Sequence, residues 1–294
     1  MADKHKPYRG RFAPSPTGPL HLGSLIAAVA SFLDARHHHG VWLVRMEDLD
    51  PPREQPGAAE DILQSLEQHG LFWDELVMWQ GERHAAYDQA LATLKQAGHL
   101  FHCDCSRQMM GAGGSCAGRC QPRQAELIAP VATRLAITAS AVIDFEDIWQ
   151  GEQHCLLDEA VSDFPLLRKD GLYAYQLAVV VDDAAQSITH VIRGHDLLDS
   201  TPRQIYLQHL LGYTTPAYGH FPVLLNEQGQ KLSKQNKAPA IDNQRAADNL
   251  RQALQFLRQP APPAALVTAT EILASATINW NRQLIPAGMG LAPD

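Results

Sequence analysis

The sequence predicts an α/β fold built on a parallel sheet, and the order of its first segments carries this prediction. A short strand predicted at residues 8–13 is followed by a helical pattern over residues 22–38, in which Leu25 and Val29 repeat at helical spacing. An apolar, partly β-branched run then occupies residues 41–46, as expected for a buried strand. A strand, a helix and a strand in succession form a β-α-β unit, whose two strands pair in parallel by default.

The rest of the chain continues to alternate between helical and strand-like patterns. Further helices are predicted at residues 57–69, 83–97, 202–211, 246–257 and 266–276. Short strands are predicted at residues 131–137, 142–145 and 221–225, and further apolar runs lie at residues 178–181 and 188–192.

Composition limits the classes of protein to which the chain can belong. It has 294 residues, of which 45% are hydrophobic, enough for a substantial core. No apolar run approaches the roughly 18 residues of a membrane span, and the polar N-terminus lacks the apolar core of a signal peptide. We therefore expect a cytoplasmic protein without a membrane partner. The net charge of −8 argues against non-specific binding along a duplex, although a local basic patch could still hold one RNA.

The turn between the first strand and the first helix has a pattern suited to phosphate binding. Residues 11–18 run Arg-Phe-Ala-Pro-Ser-Pro-Thr-Gly, and His21-Leu22-Gly23-Ser24 opens the helix. A helix N-terminus presents unpaired N–H groups and partial positive charge to an anion. His21 could donate a hydrogen bond to an α-phosphate, and Gly23 would let an adenine lie against the backbone. Alone, these residues also fit a plain strand-turn-helix connection.

A second candidate phosphate site follows the last predicted strand. Lys231-Leu232-Ser233-Lys234-Gln235 places two lysines three residues apart in a loop that begins with Gly229. Such a pair is suited to the charge that develops on a departing pyrophosphate. By itself, a solvated lysine pair is the commoner interpretation.

A third pattern places an arginine at the end of an apolar run. Arg193 follows residues 188–192, and its fork of donors matches a carboxylate. Upstream, Tyr173-Ala174-Tyr175 precedes the apolar run at residues 178–181. Either feature alone would be interpreted as a surface arginine or a core tyrosine.

The three patterns occur in this order on one chain, and together they resemble the glutamyl branch of the class I aminoacyl-tRNA synthetases. Residues 14–24 are similar to the branch's HIGH region, written here His-Leu-Gly-Ser. Residues 231–235 are similar to its KMSKS region, written here Lys-Leu-Ser-Lys-Gln. Residues 44–51 and 178–203 are also similar, so the resemblance spans about residues 8–240. Ser24 and Gln235 depart from the two signatures, which leaves the rate open but not the reaction class.

The resemblance implies a role for each matching residue. Glutamate would be bound by Arg11, Ala13, Ser15, Glu47, Tyr175 and Arg193. The two arginines would hold the carboxylates, in an order that remains open, and Glu47 would accept hydrogen bonds from the ammonium group. ATP, accompanied by Mg²⁺, would be bound by His21, Gly23, Lys231 and Lys234, of which His21 and Lys234 would be catalytic.

Four of the five cysteines lie close together in the sequence. Cys103, Cys105, Cys116 and Cys120 flank a glycine-rich loop, and four thiolates form the closed tetrahedral set typical of structural zinc. We therefore expect one structural Zn²⁺ per chain. His102 is a possible competing ligand, and Cys155 is expected to be a small buried residue.

The length of the chain narrows the resemblance to one family. After the lysine loop, full-length glutamyl-tRNA synthetases continue into a large anticodon-binding domain, whereas only about 60 residues follow here. A shortened synthetase of this kind resembles the glutamyl-queuosine tRNA(Asp) synthetases. That family has a zinc site in the cysteine stretch, although its third ligand need not be Cys. The family transfers glutamate to queuosine in the anticodon of tRNA(Asp), and unpaired anticodon bases are accessible to a protein.

The expected organisation is a Rossmann-like class I synthetase catalytic domain split by an insertion. Residues 1–97 would form its first half, 98–165 a zinc-bearing insertion, 166–240 its second half, and 241–294 a short helical tail without an anticodon-binding domain. The expected partners of a monomeric enzyme are L-glutamate, ATP and queuosine-containing tRNA(Asp). Three alternatives stay open: a glutamyl-tRNA synthetase that charges a tRNA 3′ end, a ligase acting on a small molecule, and a non-catalytic RNA-binding module.

Overall fold

The computed structural model of the protein describes residues 7–111, 114–137, 140–158, 162–225 and 239–291. Its strands, numbered in chain order, are β1 (Arg9–Phe12), β2 (Val41–Met46), β3 (Met78–Trp79), β4 (Leu100–Cys103), β5 (Ala132–Leu135), β6 (Ala141–Asp147), β7 (Gly151–Leu157), β8 (Phe164–Leu167), β9 (His190–Gly194), β10 (Ala217–Phe221), β11 (Val223–Leu224) and β12 (Gly290–Leu291). Its α-helices are α1 (Leu22–His37), α2 (Ala58–Gln68), α3 (His84–Gln96), α4 (Tyr175–Ala185), α5 (Thr201–Leu211), α6 (Ala246–Phe256) and α7 (Ala269–Asn279).

Two pairs of parallel strands, one from each half of the sequence, form the centre of the molecule. β1 pairs in parallel with β2, and β9 pairs in parallel with β10. The backbone N–H of Thr189 donates to the carbonyl of Arg9 at 3.0 Å, so β9 begins beside the start of β1. The predicted β-α-β unit and the α/β fold are therefore confirmed, and the carboxyl ends of these strands meet along one edge.

The segment between α3 and α4 contributes to two sheets. β4, β5 and β8 form an antiparallel sheet of their own. β6 and β7 form an antiparallel hairpin, and β6 also joins β10 in parallel where Asp147 pairs with Tyr218. Most of this segment falls within the expected insertion at residues 98–165, but the β6–β7 hairpin extends the sheet that contains β9 and β10.

The C-terminal helices pack against α1 and contribute to its core. Leu250 and Leu254 of α6 and Ile272 of α7 are buried in the cluster that contains Leu25 and Val29 of α1. The predicted helix at residues 266–276 begins later, because Thr268 caps α7 through a reciprocal pair of hydrogen bonds with Glu271. Farther on, β12 pairs in parallel with β11.

One predicted strand differs from the observed structure, and one apolar run without a predicted structure is helical. The main late strand is β10, and the predicted strand at 221–225 is divided between the last residue of β10, Phe221, and the two residues of β11, because Pro222 has no N–H to continue the ladder. The apolar run at residues 178–181 lies inside α4, where it is buried among neighbouring elements. None of the helices in the described ranges has both the length and the apolar character that crossing a membrane would require.

Candidate active site

The turn after β1 lies beside the end of β2 at the carboxyl edge of the sheet. The backbone N–H of Glu47 donates to the carbonyl of Pro14 at 2.9 Å, which fastens the turn to β2. This hydrogen bond brings Ala13 and Ser15 beside Glu47, and Ser15 is exposed at the rim. The predicted glutamate-binding residues of these two segments therefore share one side of a site.

His21 caps α1, which begins at the same edge. Its Nδ1 accepts a hydrogen bond from the backbone N–H of Ser24 at 3.3 Å, and the Ser24 hydroxyl accepts one from the backbone N–H of His21 at 2.8 Å. Because Nδ1 is an acceptor, a neutral ring carries its proton on Nε2. Ser24, which departs from the family signature, thus fixes the orientation of His21. Gly23 lies half-buried in the first turn of the helix.

The lysine loop lies outside the described residues, and so do Lys231 and Lys234, but its far end returns to the same site. Ala240 forms an antiparallel bridge with His21, and the N–H of Ile241 donates to the carbonyl of Leu20 at 3.0 Å. The described residues therefore end at Leu225 and resume at residue 239, next to the cap of α1.

Four buried or nearly buried charges lie beneath the site. Arg11 donates to Asp183 from Nε at 3.1 Å, and Arg45 donates to the same carboxylate from Nη1 at 2.7 Å. Arg45 also approaches Glu47 at 3.5 Å. Burial raises the pKa of Glu47, although Arg45 and Arg11 oppose the shift. Burial would also raise the pKa of Asp183, but the two arginines hold it below its ordinary value. Two cations and two anions thus offset one another before any ligand binds.

Arg193, at the end of β9, differs from Arg11 in having only uncharged partners. Its Nε lies 2.9 Å from His220 Nε2, its Nη2 donates to the Thr201 hydroxyl at 2.8 Å, and its Nη1 lies 3.4 Å from the hydroxyl of Tyr175. Arg193 is 5% exposed, and within the described part of the chain it forms no ion pair. A buried cation that contacts no carboxylate favours an anionic ligand.

Tyr175 connects this arginine to the charges beneath the turn. The residue is 36% exposed, but its hydroxyl lies 3.4 Å from the buried guanidinium of Arg193. Burial raises the pKa of the hydroxyl, and Arg193, Glu47 and Arg11 are close enough to shift it further in opposing directions. Among the described residues, the structure therefore brings Tyr175 and Arg193 close to Glu47 and Arg11.

The four clustered cysteines are buried together in one small core. The sulfur atoms of Cys103, Cys105 and Cys120 lie within 4.8 Å of one another. Cys120 Sγ is 3.5 Å from Cys105 Sγ and 3.6 Å from Cys103 Sγ. Four thiolates at the usual Zn–S distance are about 3.8 Å apart, so this spacing fits one face of a zinc tetrahedron. Cys116 is buried beside them, but its sulfur is not in the group of three.

Charged residues surround the cysteine cluster and connect it to its neighbours. Asp104 accepts a hydrogen bond from Arg123 at 2.8 Å, and Lys169 donates to the Asp104 carbonyl at 2.7 Å. On the other side, the buried carboxylate of Asp163 accepts from the backbone N–H of Cys116 at 3.2 Å. Arg123 and Lys169 would offset the net negative charge of a metal site made of several thiolates.

Comparison with known proteins assigns the chain to a family. The model for the catalytic domain of class I tRNA synthetases (E and Q) matches residues 8–128 and 121–279. A glutamyl-Q tRNA(Asp) synthetase of Neisseria meningitidis serogroup B is 48% identical over 296 residues, covering 97% of this chain and 100% of the relative. One from Dechloromonas aromatica is 50% identical over 297 residues, covering 96% of this chain and 97% of the relative. The chain belongs to the glutamyl-Q tRNA(Asp) synthetase family.

Solved structures place this family's fold beside that of longer synthetases. A glutamate tRNA ligase from Elizabethkingia meningosepticum, in complex with its amino acid, superposes with a TM-score of 0.80 at 24% identity, covering 98% of this chain and 67% of that one. A glutamate-tRNA synthetase from Elizabethkingia anophelis gives the same TM-score and identity, covering 97% of this chain and 68% of that one. At this identity the likeness shows a shared fold.

The sequence alone did not identify several residues that hold this family member's site together. Arg45 and Asp183 bind one another beneath Arg11, and His220 and Asp147 lie behind Arg193. Arg45 is the one charged residue in β2, which is a recognisable signal because a charge in a buried strand needs a partner. His220, the partner of Arg193, had no such signal, because it follows a glycine in a segment without an apolar pattern.

Proposed function

We propose that this chain activates glutamate with ATP and transfers it to queuosine in the anticodon of tRNA(Asp). In the first step, a glutamate α-carboxylate oxygen attacks the α-phosphorus of ATP. The bond from that phosphorus to the bridging oxygen breaks, and pyrophosphate leaves. In the second step, a hydroxyl of the queuosine cyclopentene diol attacks the carbonyl carbon of the glutamyl-adenylate. AMP leaves with the bond electrons, and the hydroxyl proton is lost. The observation that carries this proposal is the identity of 48–50% over nearly the whole length of named glutamyl-Q tRNA(Asp) synthetases.

The charge balance of the site supports glutamate as the activated acid. Arg11 and Arg45 already face Asp183 and Glu47, whereas Arg193 contacts no carboxylate among the described residues, and Asp147 lies on the far side of His220. A dicarboxylic amino acid brings a second carboxylate, to which Arg193 would donate hydrogen bonds. We assign the side-chain carboxylate to Arg193 and Tyr175, because that carboxylate stays ionised throughout the reaction. Ala13, Ser15 and Arg11 would then lie beside the α-carboxylate, and Glu47 would accept hydrogen bonds from the ammonium group.

The ATP end of the site is assigned to the N-terminus of α1. His21 would donate Nε2–H to the α-phosphate, and Gly23 would lie against the adenine. Lys231 and Lys234 would neutralise the pyrophosphate as it leaves, and Ala240, at the far end of their loop, pairs with His21. Mg²⁺ would accompany the phosphates. No residue of the protein needs to form a covalent intermediate.

The cysteine cluster is assigned to one structural zinc. Cys103, Cys105 and Cys120 would supply three thiolates with the spacing observed, and Cys116 would supply the fourth from the same buried core. A closed set of four ligands leaves no open position for substrate, so the metal would hold the loop together and take no part in the reaction.

The first step is tested by exchange of labelled pyrophosphate into ATP with a panel of acids, in the presence and absence of tRNA. Exchange driven by glutamate, and not by aspartate, glutamine or glutarate, supports the proposal. Exchange driven equally well by an acid without an amino group would support a small-molecule ligase instead. Transfer of labelled glutamate to queuosine-containing tRNA(Asp) tests the second step.

A further inference from the structure

A buried carboxylate and a buried histidine lie directly behind Arg193. Asp147, the last residue of β6, accepts backbone N–H donors at Oδ1 from Trp149 at 3.0 Å, Gln150 at 3.0 Å and His220 at 3.1 Å. Its Oδ2 lies 2.5 Å from Nδ1 of His220 in β10. Both side chains are fully buried. Three donors fix Oδ1 in place, so Oδ2 faces the imidazole in one orientation.

These contacts determine which nitrogen of His220 carries the proton. The guanidinium Nε of Arg193, 2.9 Å from His220 Nε2, is always a donor, so Nε2 must present its lone pair. Nδ1 therefore carries the proton and donates a hydrogen bond to Asp147. Burial lowers the pKa of His220 to about 4, so the ring is neutral near pH 7. Burial alone would raise the pKa of Asp147, but the hydrogen bonds from His220 and the backbone hold it below its ordinary value.

The contacts that hold Arg193 leave its Nη1 directed toward Tyr175. Nε is held by His220, Nη2 by Thr201, and the guanidinium carbon lies 5.3 Å from the ring centroid of Tyr218. Nη1 has only the long contact of 3.4 Å with the Tyr175 hydroxyl. An acceptor at Nε fixes the rotation of the guanidinium plane, and that rotation determines where Nη1 meets a carboxylate.

We propose that Asp147 and His220 are positioning residues, which orient Arg193 for the glutamate side-chain carboxylate by holding His220 in its Nδ1–H form. This inference rests on the proposed role of Arg193 in binding glutamate. It assigns to the β6–β7 hairpin a part in substrate recognition, because Asp147 ends its first strand.

Asp147→Asn tests the proposal by reversing the tautomer. The three backbone donors would keep the amide oxygen, so the amide NH₂ would face His220 Nδ1 and move the ring proton to Nε2. An N–H would then oppose the N–H of Arg193, and we expect the KM for glutamate in pyrophosphate exchange to rise about tenfold or more, with kcat less affected. The control is Asp144→Asn, because Asp144 lies on the same strand as Asp147 but forms an exposed pair with His154, and this variant should leave KM unchanged.

Nitrogen-15 NMR of the histidine side chains gives the second readout. A resonance that disappears in His220→Gln identifies His220, and it should report Nδ1–H in the wild type and Nε2–H in Asp147→Asn. His220→Gln should itself keep the KM within about threefold of the wild type, because its amide can donate to Asp147 and accept from Arg193, whereas His220→Leu should not. An unchanged KM in Asp147→Asn and His220→Leu would overturn the proposal. If Asp147→Asn does not fold, the comparison of His220→Gln with His220→Leu decides. Failure of the wild type to exchange pyrophosphate with glutamate would instead refute the proposed function.

Discussion

Arg282 donates two hydrogen bonds to the carboxylate of Asp34, from Nε at 2.6 Å and from Nη2 at 2.7 Å. Asp34 lies in α1 and is 0% exposed, whereas Arg282 follows α7 near the end of the described chain. Tyr8 and Trp280 donate to the same carboxylate, at 2.5 Å and 3.0 Å. The C-terminal segment therefore completes a polar cluster around Asp34, near the C-terminal end of the helix whose N-terminus forms the candidate ATP site.

Removing this arginine should destabilise the whole domain. We expect Arg282→Met, which keeps the apolar stem, to lower the free energy of unfolding by about 2–3 kcal/mol, because Asp34 would remain buried without its cation. The expected loss is below that of a wholly buried pair, since Arg282 is partly exposed. Urea denaturation followed by circular dichroism measures it. Arg245→Met, at an exposed pair with Asp248 on the same tail, is the control and should show no measurable change.

The Arg282–Asp34 pair should also make the free energy of unfolding depend on pH. Burial would raise the pKa of Asp34, but hydrogen bonds from Arg282 and its other donors hold it below its ordinary value. A depressed pKa contributes stability above the unfolded value of about 3.9, and this contribution is lost as pH falls through the folded value. In Arg282→Met, burial should dominate and protonation should relieve the uncompensated charge. The stability difference between the two proteins should therefore narrow from about pH 7 to about pH 3.5. A stability difference that stayed constant over this pH range would contradict the prediction, because it would mean that Arg282 does not affect the pKa of Asp34.

Metal content should distinguish the cysteines. We expect about one zinc per chain, lost in Cys103→Ser, Cys105→Ser and Cys120→Ser and retained in Cys155→Ser. Cys116→Ser is the decisive variant, because the Cys116 sulfur lies outside the group of three. If Cys116 is the fourth ligand, this variant should also lose zinc on dialysis against a chelator. Elemental analysis gives the result, and full retention of zinc in Cys116→Ser would remove that residue from the ligand set.

The two ends of the active site should respond differently to substitution. Lys234→Ala should lower kcat for pyrophosphate exchange by on the order of 10²–10³, with little change in KM for glutamate, because the charge on pyrophosphate develops only as it leaves. Arg193→Ala should instead raise KM for glutamate by about 30-fold or more, because a carboxylate is engaged already in the ground state. Lys95→Ala, on the exposed side of α3, is the control. Near wild-type exchange by Lys234→Ala would require the assignment of residues 231–235 to be withdrawn.

Apolar periodicity predicted the first half of the sheet better than the second. β2 was predicted at its observed bounds, because residues 41–46 form an apolar run whose one charge, Arg45, is neutralised within the fold. β10 was missed because Gly219 and His220 interrupt its apolar pattern. A side chain at Gly219 would lie 2.7 Å from the ring of Trp149, and the buried His220 has a hydrogen-bond partner in Asp147. Both reasons depend on residues about 70 positions away, which no local pattern contains.

The signatures in the sequence predicted candidate substrate-binding residues, but not the residues that support them. His21, Arg193 and Tyr175 came from the signatures. Asp183 appeared in the same segment as Tyr175, but its contacts with Arg11 and Arg45 join residues 172 and 138 positions apart. Pairing of this kind follows from the register of β1 and β2, which the sequence does not specify.

The acceptor is the central claim, and labelled glutamate tests it most directly. Three RNAs are compared with ATP present: tRNA(Asp) containing queuosine, the same tRNA with guanosine at that position, and a queuosine-containing anticodon stem-loop that has no acceptor end. We predict that glutamate is transferred to the first and the third and not to the second. Transfer of glutamate to the guanosine-containing tRNA would contradict the proposal. So would a result in which the stem-loop receives no glutamate, while the complete tRNA receives glutamate that is released by cleaving its 3′ end. Either result would indicate a synthetase that charges the 3′ terminus.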